Sequence, residues 1–128
     1  NPVTMRAGIA AMNLLDDAAF ARLDAMGEAV RSCIDAAFRR RGVPGGTVGL
    51  GSLLKIHFAD RPIRDYRSAW LTEEETRRQT IFARALLNRG VLAAGYGLMA
   101  LSTPMTDADI DAIIAAASGA LAEVASTL

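Results

Sequence analysis

The chain has 128 residues, 52% of them hydrophobic and 22% charged, which is enough apolar material for one compact domain and too much for a disordered one. Fourteen basic and fourteen acidic residues cancel, so there is no global field to gather nucleic acid or an anionic membrane. The basic residues are thirteen Arg and one Lys, Lys55, and the single cysteine, Cys33, excludes an internal disulfide and fits a reducing compartment.

Residues 3–15 read as a helix in which only Arg6 and Asn13 are clearly polar. A helix apolar on nearly every side is expected to be buried on every side. Asp16 and Asp17 then open a second, longer helix. Phe20, Leu23, Met26, Val30, Cys33 and Ala37 form its apolar stripe, Arg39, Arg40 and Arg41 suit its negative end, and Gly42 stops it. The glycine-rich run VPGGTVGLGS reads as loop and turn. It leads into a half-buried strand in which Leu54, Ile56 and Phe58 alternate with Lys55, His57 and Ala59.

Thr72 with Glu75 three residues later is a capping box for a third helix, and Glu73 and Glu74 stand four residues before Arg77 and Arg78. Its core face is Ile81, Phe82, Ala85 and Leu86, and Gly90 ends it. GVLAAGYGLMALS predicts two short strands around a turn at Gly95-Tyr96-Gly97. Thr106 and Asp109 repeat the box before a last helix with Ile110, Ile113, Ile114, Ala117, Leu121 and Val124 inside. The fold class expected is α+β: a small antiparallel or mixed sheet covered by helices. The longest late apolar run, AIIAAASGALA, is too short for the roughly 20 residues of a membrane span, and no secretory signal is visible. A soluble, cytoplasmic protein is expected.

No motif assembles a catalytic constellation. Gly46 and Gly51 have the outer spacing of a phosphate loop, but Ser52-Leu53 stands where Lys and Ser or Thr are required. Lys55, the only amine side chain, alternates onto the face opposite Leu54 and Ile56, away from the burial that would make it nucleophilic. His57 shares that face with no second metal ligand nearby and reads as a surface or interface group; Cys33 reads as core. Asp107, Asp109 and Asp111 lack the glycine and closing glutamate of a calcium loop and read as a helix start.

NPVTMRAGIAAMNLL resembles the Asn-Pro-Val-(Thr/Ala)-Met-Ala-Ala-Gly segment of class III pyridoxal-phosphate-dependent aminotransferases, nearest the glutamate-1-semialdehyde 2,1-aminomutase subgroup. The resemblance continues in order through GSLLKIHFAD, Arg64-Asp65-Tyr66, FARALLNRGV and STPMTDADIDAIIAAASGAL. It implies the C-terminal small domain of a fold-type I enzyme, with residues 1–15 as an interdomain bridging helix and 16–128 as the small domain. It also implies a large domain upstream that carries pyridoxal phosphate, the Schiff-base lysine and the aspartate at the pyridine nitrogen. Lys55 does not match that lysine's position, so no catalytic and no cofactor-binding residue is expected here, and the segment alone is expected to be inactive. The aminomutase loop Pro-Ser-x-x-Glu has no counterpart in LAAGYGLMAL, which leaves an ordinary aminotransferase open beside an aminomutase. By position, Asn1, Tyr96 and Met99 are the substrate-pocket candidates. The alternative is a non-enzymatic α+β dimerisation or interaction module. Either way the bare first helix predicts a homo-oligomer, such as a homodimer, and neither reading calls for a metal, nucleic acid or membrane.

Overall fold

The computed structural model describes residues 1–128. In chain order the elements are α1 (Pro2–Met12), α2 (Asp17–Arg41), β1 (Gly46–Leu50), β2 (Leu53–His57), α3 (Glu73–Leu87), β3 (Leu98–Ala100) and α4 (Asp107–Ala125). The capping chemistry sets most boundaries. Asp16 accepts from the Ala19 N–H at 2.8 Å, Gly42 ends α2 at φ +64°, and both Thr72–Glu75 and Thr106–Asp109 close reciprocal boxes.

The three strands form one antiparallel sheet in the order β1-β2-β3. Leu54 pairs with Met99 and, with Ile56, faces the helices; all three are buried. Helix α4 packs between α2 and α3, and α2 also packs on β1 and β2. Ala116, Ala117 and Ala120 are all buried on α4, so its core face carries little side-chain bulk. Phe38, Phe58 and Phe82 meet edge to face in a row, with centroids 5.4 and 5.5 Å apart, tying α2, the end of β2 and α3 together.

Helix α2 approaches the β1–β2 turn closely. A methyl group on Gly27 would stand 1.9 Å from the Gly51 carbonyl oxygen. Arg31 donates to that oxygen at 2.8 Å, and Asp35 accepts from the Thr47 N–H at 2.8 Å, satisfying one N–H on the open edge of β1. Gly51 itself has φ +57°, as the Gly-X turn of a two-residue hairpin requires.

Four expectations need correction. The run read as loop contains strand β1, because pairing with β2 and Asp35 outweighs the poor strand propensity of its glycines. Only one strand follows α3; residues 91–94 are irregular and Gly97 donates to the Ala94 carbonyl in a turn. On α2 the buried set is Met26, Gly27, Val30, Ile34, Ala37 and Phe38, so Cys33 and Phe20 are exposed. Helix α1 stops at Met12, and none of its residues is buried by this chain.

Replacing Gly27 by Ala is expected to destabilise the fold. Helix propensity favours Ala by about 1 kcal/mol, but overpacking against backbone costs about 1–3 kcal/mol and the 1.9 Å approach lies at its severe end. Urea denaturation should show a lower midpoint; a raised midpoint would contradict the close contact.

Candidate functional site

The sheet has a second face, away from the helices. The register puts Val48, Leu50, Leu53, Lys55, His57, Leu98 and Ala100 on it. Leu50, Leu53 and Leu98 are exposed, Leu50 by 87%, so one end of this face is bare and apolar. Lys55 is half-buried at its centre, with Nζ 6.0 Å from the centroid of the exposed Tyr96 ring.

The other end is covered by a strap formed by residues 60–72. Arg61 organises it. Its guanidinium reaches both Glu75 oxygens at 2.6 and 3.2 Å, donates to the Ser68 carbonyl at 2.9 Å, and also donates to the Trp70 carbonyl. Within the strap Asp65 accepts from the Ser68 N–H at 2.8 Å, and the Ser68 hydroxyl accepts from the N–H groups of Arg64 and Asp65. Tyr66 and Trp70 stack edge to face on its outer surface, centroids 5.8 Å apart. Glu75 thus serves two structures, completing the α3 box through the Thr72 N–H at 2.9 Å while anchoring Arg61.

Under the strap lies a small, partly open cavity of about 20 Å³, lined by Val48, Lys55, His57, Ile63, Ala69, Leu71 and Gln79. Burial holds His57 below the usual histidine range, against an opposing pull from the Ala59 backbone and Asp35. Glu75 lies below the usual glutamate range because Arg61 hydrogen-bonds its ionised form, more than offsetting burial. Asp65 is lowered by the Ser68 and Arg67 backbone N–H groups and the Ser68 hydroxyl.

Pyridoxal phosphate needs a lysine, a carboxylate or equivalent at the ring nitrogen and donors for the phosphate. The small cavity at Lys55 has room for about one water molecule, and no acidic residue lines it. The residues present therefore do not fit the cofactor. No cluster of three His, Cys, Asp or Glu side chains could hold a metal, and no helix is long and apolar enough to cross a membrane.

The three pocket candidates sit in different settings. Asn1 caps α1, accepting from the Val3 N–H at 2.9 Å. Tyr96 lies exposed in the turn before β3. Met99 lies in β3 rather than in the loop, 7% exposed, because alternation turns it to the core opposite Leu54. Lys55, expected toward solvent or a domain edge, and His57, expected as a surface or interface group, are both half-buried beside the strap. Sequence reasoning missed Arg61, whose partner is fourteen positions away, and Gln79. The spacing Glu75, Gln79, Phe82, Leu86 does place Gln79 on the buried face of α3.

A three-stranded antiparallel sheet with helices on one face and a bare apolar helix at one end defines a small α+β domain. No family model matches the chain. It is 37% identical over 127 residues to a glutamate-1-semialdehyde 2,1-aminomutase of Anaeromyxobacter dehalogenans, covering 98% of this chain and 29% of that protein. It is 34% identical to the beta-phenylalanine transaminase of Variovorax paradoxus, covering 91% of this chain and 26% of that one. Its structure matches an omega-transaminase from Sphaerobacter thermophilus at a TM-score of 0.90 and 38% identity, over 97% of this chain and 28% of the other. By sequence and by fold the chain is similar to class III pyridoxal-phosphate-dependent aminotransferases, and it spans under a third of the length of the curated relatives it matches.

Because Glu75 titrates below its unfolded value, its contribution to stability is present above the ordinary glutamate range. That contribution fades as pH falls through the lowered folded value. Acid unfolding followed by circular dichroism should therefore shift to higher pH in Arg61→Met; an unchanged acid midpoint would contradict the pairing.

Proposed function

We propose that this chain is the C-terminal small domain of an aminotransferase or aminomutase that passes an amino group between an amino acid or amine and a carbonyl compound. The observation that carries the reading is the match to the Sphaerobacter thermophilus omega-transaminase over 97% of the chain. Residues 1–15 act as the bridge to a larger domain that supplies pyridoxal phosphate and the lysine it is held by, and residues 16–128 are the small domain. The bare face of α1, with Val3, Met5, Ile9 and Met12 all more than half exposed, supports a covering partner of that kind. Asn1, Tyr96 and Met99 are the pocket candidates, Tyr96 foremost because it is exposed beside Lys55. The enzyme works in the cytoplasm as a homodimer.

The absence of a carboxylate between Leu92 and Leu101 favours transfer between two molecules over rearrangement within one. The longer protein carrying this segment should move amino groups from amine or β-amino acid donors to 2-oxo acids. Loss of cofactor binding and of transfer with every such donor would overturn the proposal. In that enzyme Tyr96→Ala should raise KM for the donor while kcat changes less; an unaltered KM would remove Tyr96 from the substrate side.

The isolated 128-residue chain should show no catalysis. Adding pyridoxal phosphate should produce no visible absorbance band that Lys55→Ala abolishes. Such a band would mean that the chain holds the cofactor itself.

A further inference from the structure

The cavity under the strap is walled by three parts of the fold. Val48, Lys55 and His57 come from the outer face of the sheet, Ile63, Ala69 and Leu71 from the strap, and Gln79 from α3. Gln79 is only 4% exposed. Both its amide atoms, Nε2 and Oε1, are buried without a hydrogen-bond partner from the chain, and so is His57 Nδ1.

Orphaned polar atoms of this kind are uncommon in folded proteins, because each forfeits its hydration with nothing in return. Three of them sit on residues lining one small cavity of about 20 Å³. A water needs at least about 10–15 Å³ of such space and makes about three hydrogen bonds when buried. Volume and bonding capacity therefore agree, and both correspond to a single molecule.

We propose that this cavity binds one ordered water molecule, which bridges His57 on β2 and Gln79 on α3 beneath the strap. It accepts from the Gln79 amide nitrogen and bonds in turn to His57 Nδ1 and the Gln79 amide oxygen as the imidazole tautomer allows. The Lys55 ammonium, the other polar group at the wall, is the competing occupant. Gly97 contributes from the β3 side: a side chain there would stand 2.2 Å from the Ile56 carbonyl oxygen and 2.9 Å from Gln79 Nε2, which would crowd the amide out of position.

The test is a high-resolution crystal structure of the protein, beside those of Gln79→Met and Lys55→Met. The expected result is one isolated density peak in the cavity, about 2.7–3.2 Å from His57 Nδ1 and from a Gln79 amide atom. The peak should persist in Lys55→Met and vanish in Gln79→Met. A dry cavity, a direct Gln79–His57 bond, or a peak that disappears with Lys55 would each overturn the proposal. In solution, limited proteolysis within residues 61–71 should quicken several-fold in Gln79→Met while its helical circular dichroism stays at the wild-type level. If Gln79→Met does not fold, His57→Phe replaces it with the same expected loss of the peak and gain in cleavage. Unchanged cleavage in the variant read out would count against the water's holding together the floor on which the strap rests.

Discussion

Three phenyl rings in a row hold this domain together. Phe38 from α2, Phe58 at the end of β2 and Phe82 from α3 are each 2% exposed or less. Their edge-to-face contacts fix how the helix layer lies on the sheet. Truncating one such ring costs about 3–5 kcal/mol, a large share of the roughly 5–15 kcal/mol that stabilises a typical domain. The rest depends on that placement. With α2 set, Gly27 can meet the Gly51 carbonyl and Asp35 can reach the edge of β1. With α3 set, Glu75 can hold Arg61 and the strap, and Arg89 can cross Gly119 to reach Glu123 on α4 at 2.6 Å.

The same placement puts every helix but α1 on one side of the sheet. The opposite side is covered only where the strap crosses it, leaving Leu50, Leu53 and Leu98 exposed. Helix α1, eleven residues long, is more exposed still. A helix of that length is marginal in water by itself. Burying Val3, Met5, Ile9, Met12 and Leu14 would each contribute about 1.5–3 kcal/mol. Together these approach the stability of a whole small domain, so a surface that covers α1 would bind it firmly. Under the proposed function that surface belongs to the cofactor domain.

What was legible in the sequence was mainly local. Asp16, Gly42, Thr72 with Glu75 and Thr106 with Asp109 marked helix ends because capping involves residues at most a few positions apart. The alternation of Leu54, Ile56 and Phe58 announced β2 for the same reason. β1 was hidden because its two glycines, Gly46 and Gly49, read as a turn and only its partners make it a strand. The stripe on α2 was misplaced because a spacing read as three and four drifts around a 25-residue helix, putting Cys33 and Phe20 outside and Ile34 and Phe38 inside. Arg61 and the strap cavity rest on contacts between distant segments, which no spacing rule reaches. Met99 fell between the two: alternation fixes its inward direction only once β3 is known to be a strand.

The central claim is that α1 and the bare sheet face are made to be covered by another part of the same enzyme. Hydrogen–deuterium exchange over residues 2–12 tests it most directly, compared between the isolated 128-residue chain and the longer protein proposed to contain it. Exchange in α1 should be fast in the isolated chain, while α3 and α4 stay protected, and slow in the longer protein. Strong protection of α1 in an isolated monomer, or fast exchange of α1 in the longer protein, would contradict the account.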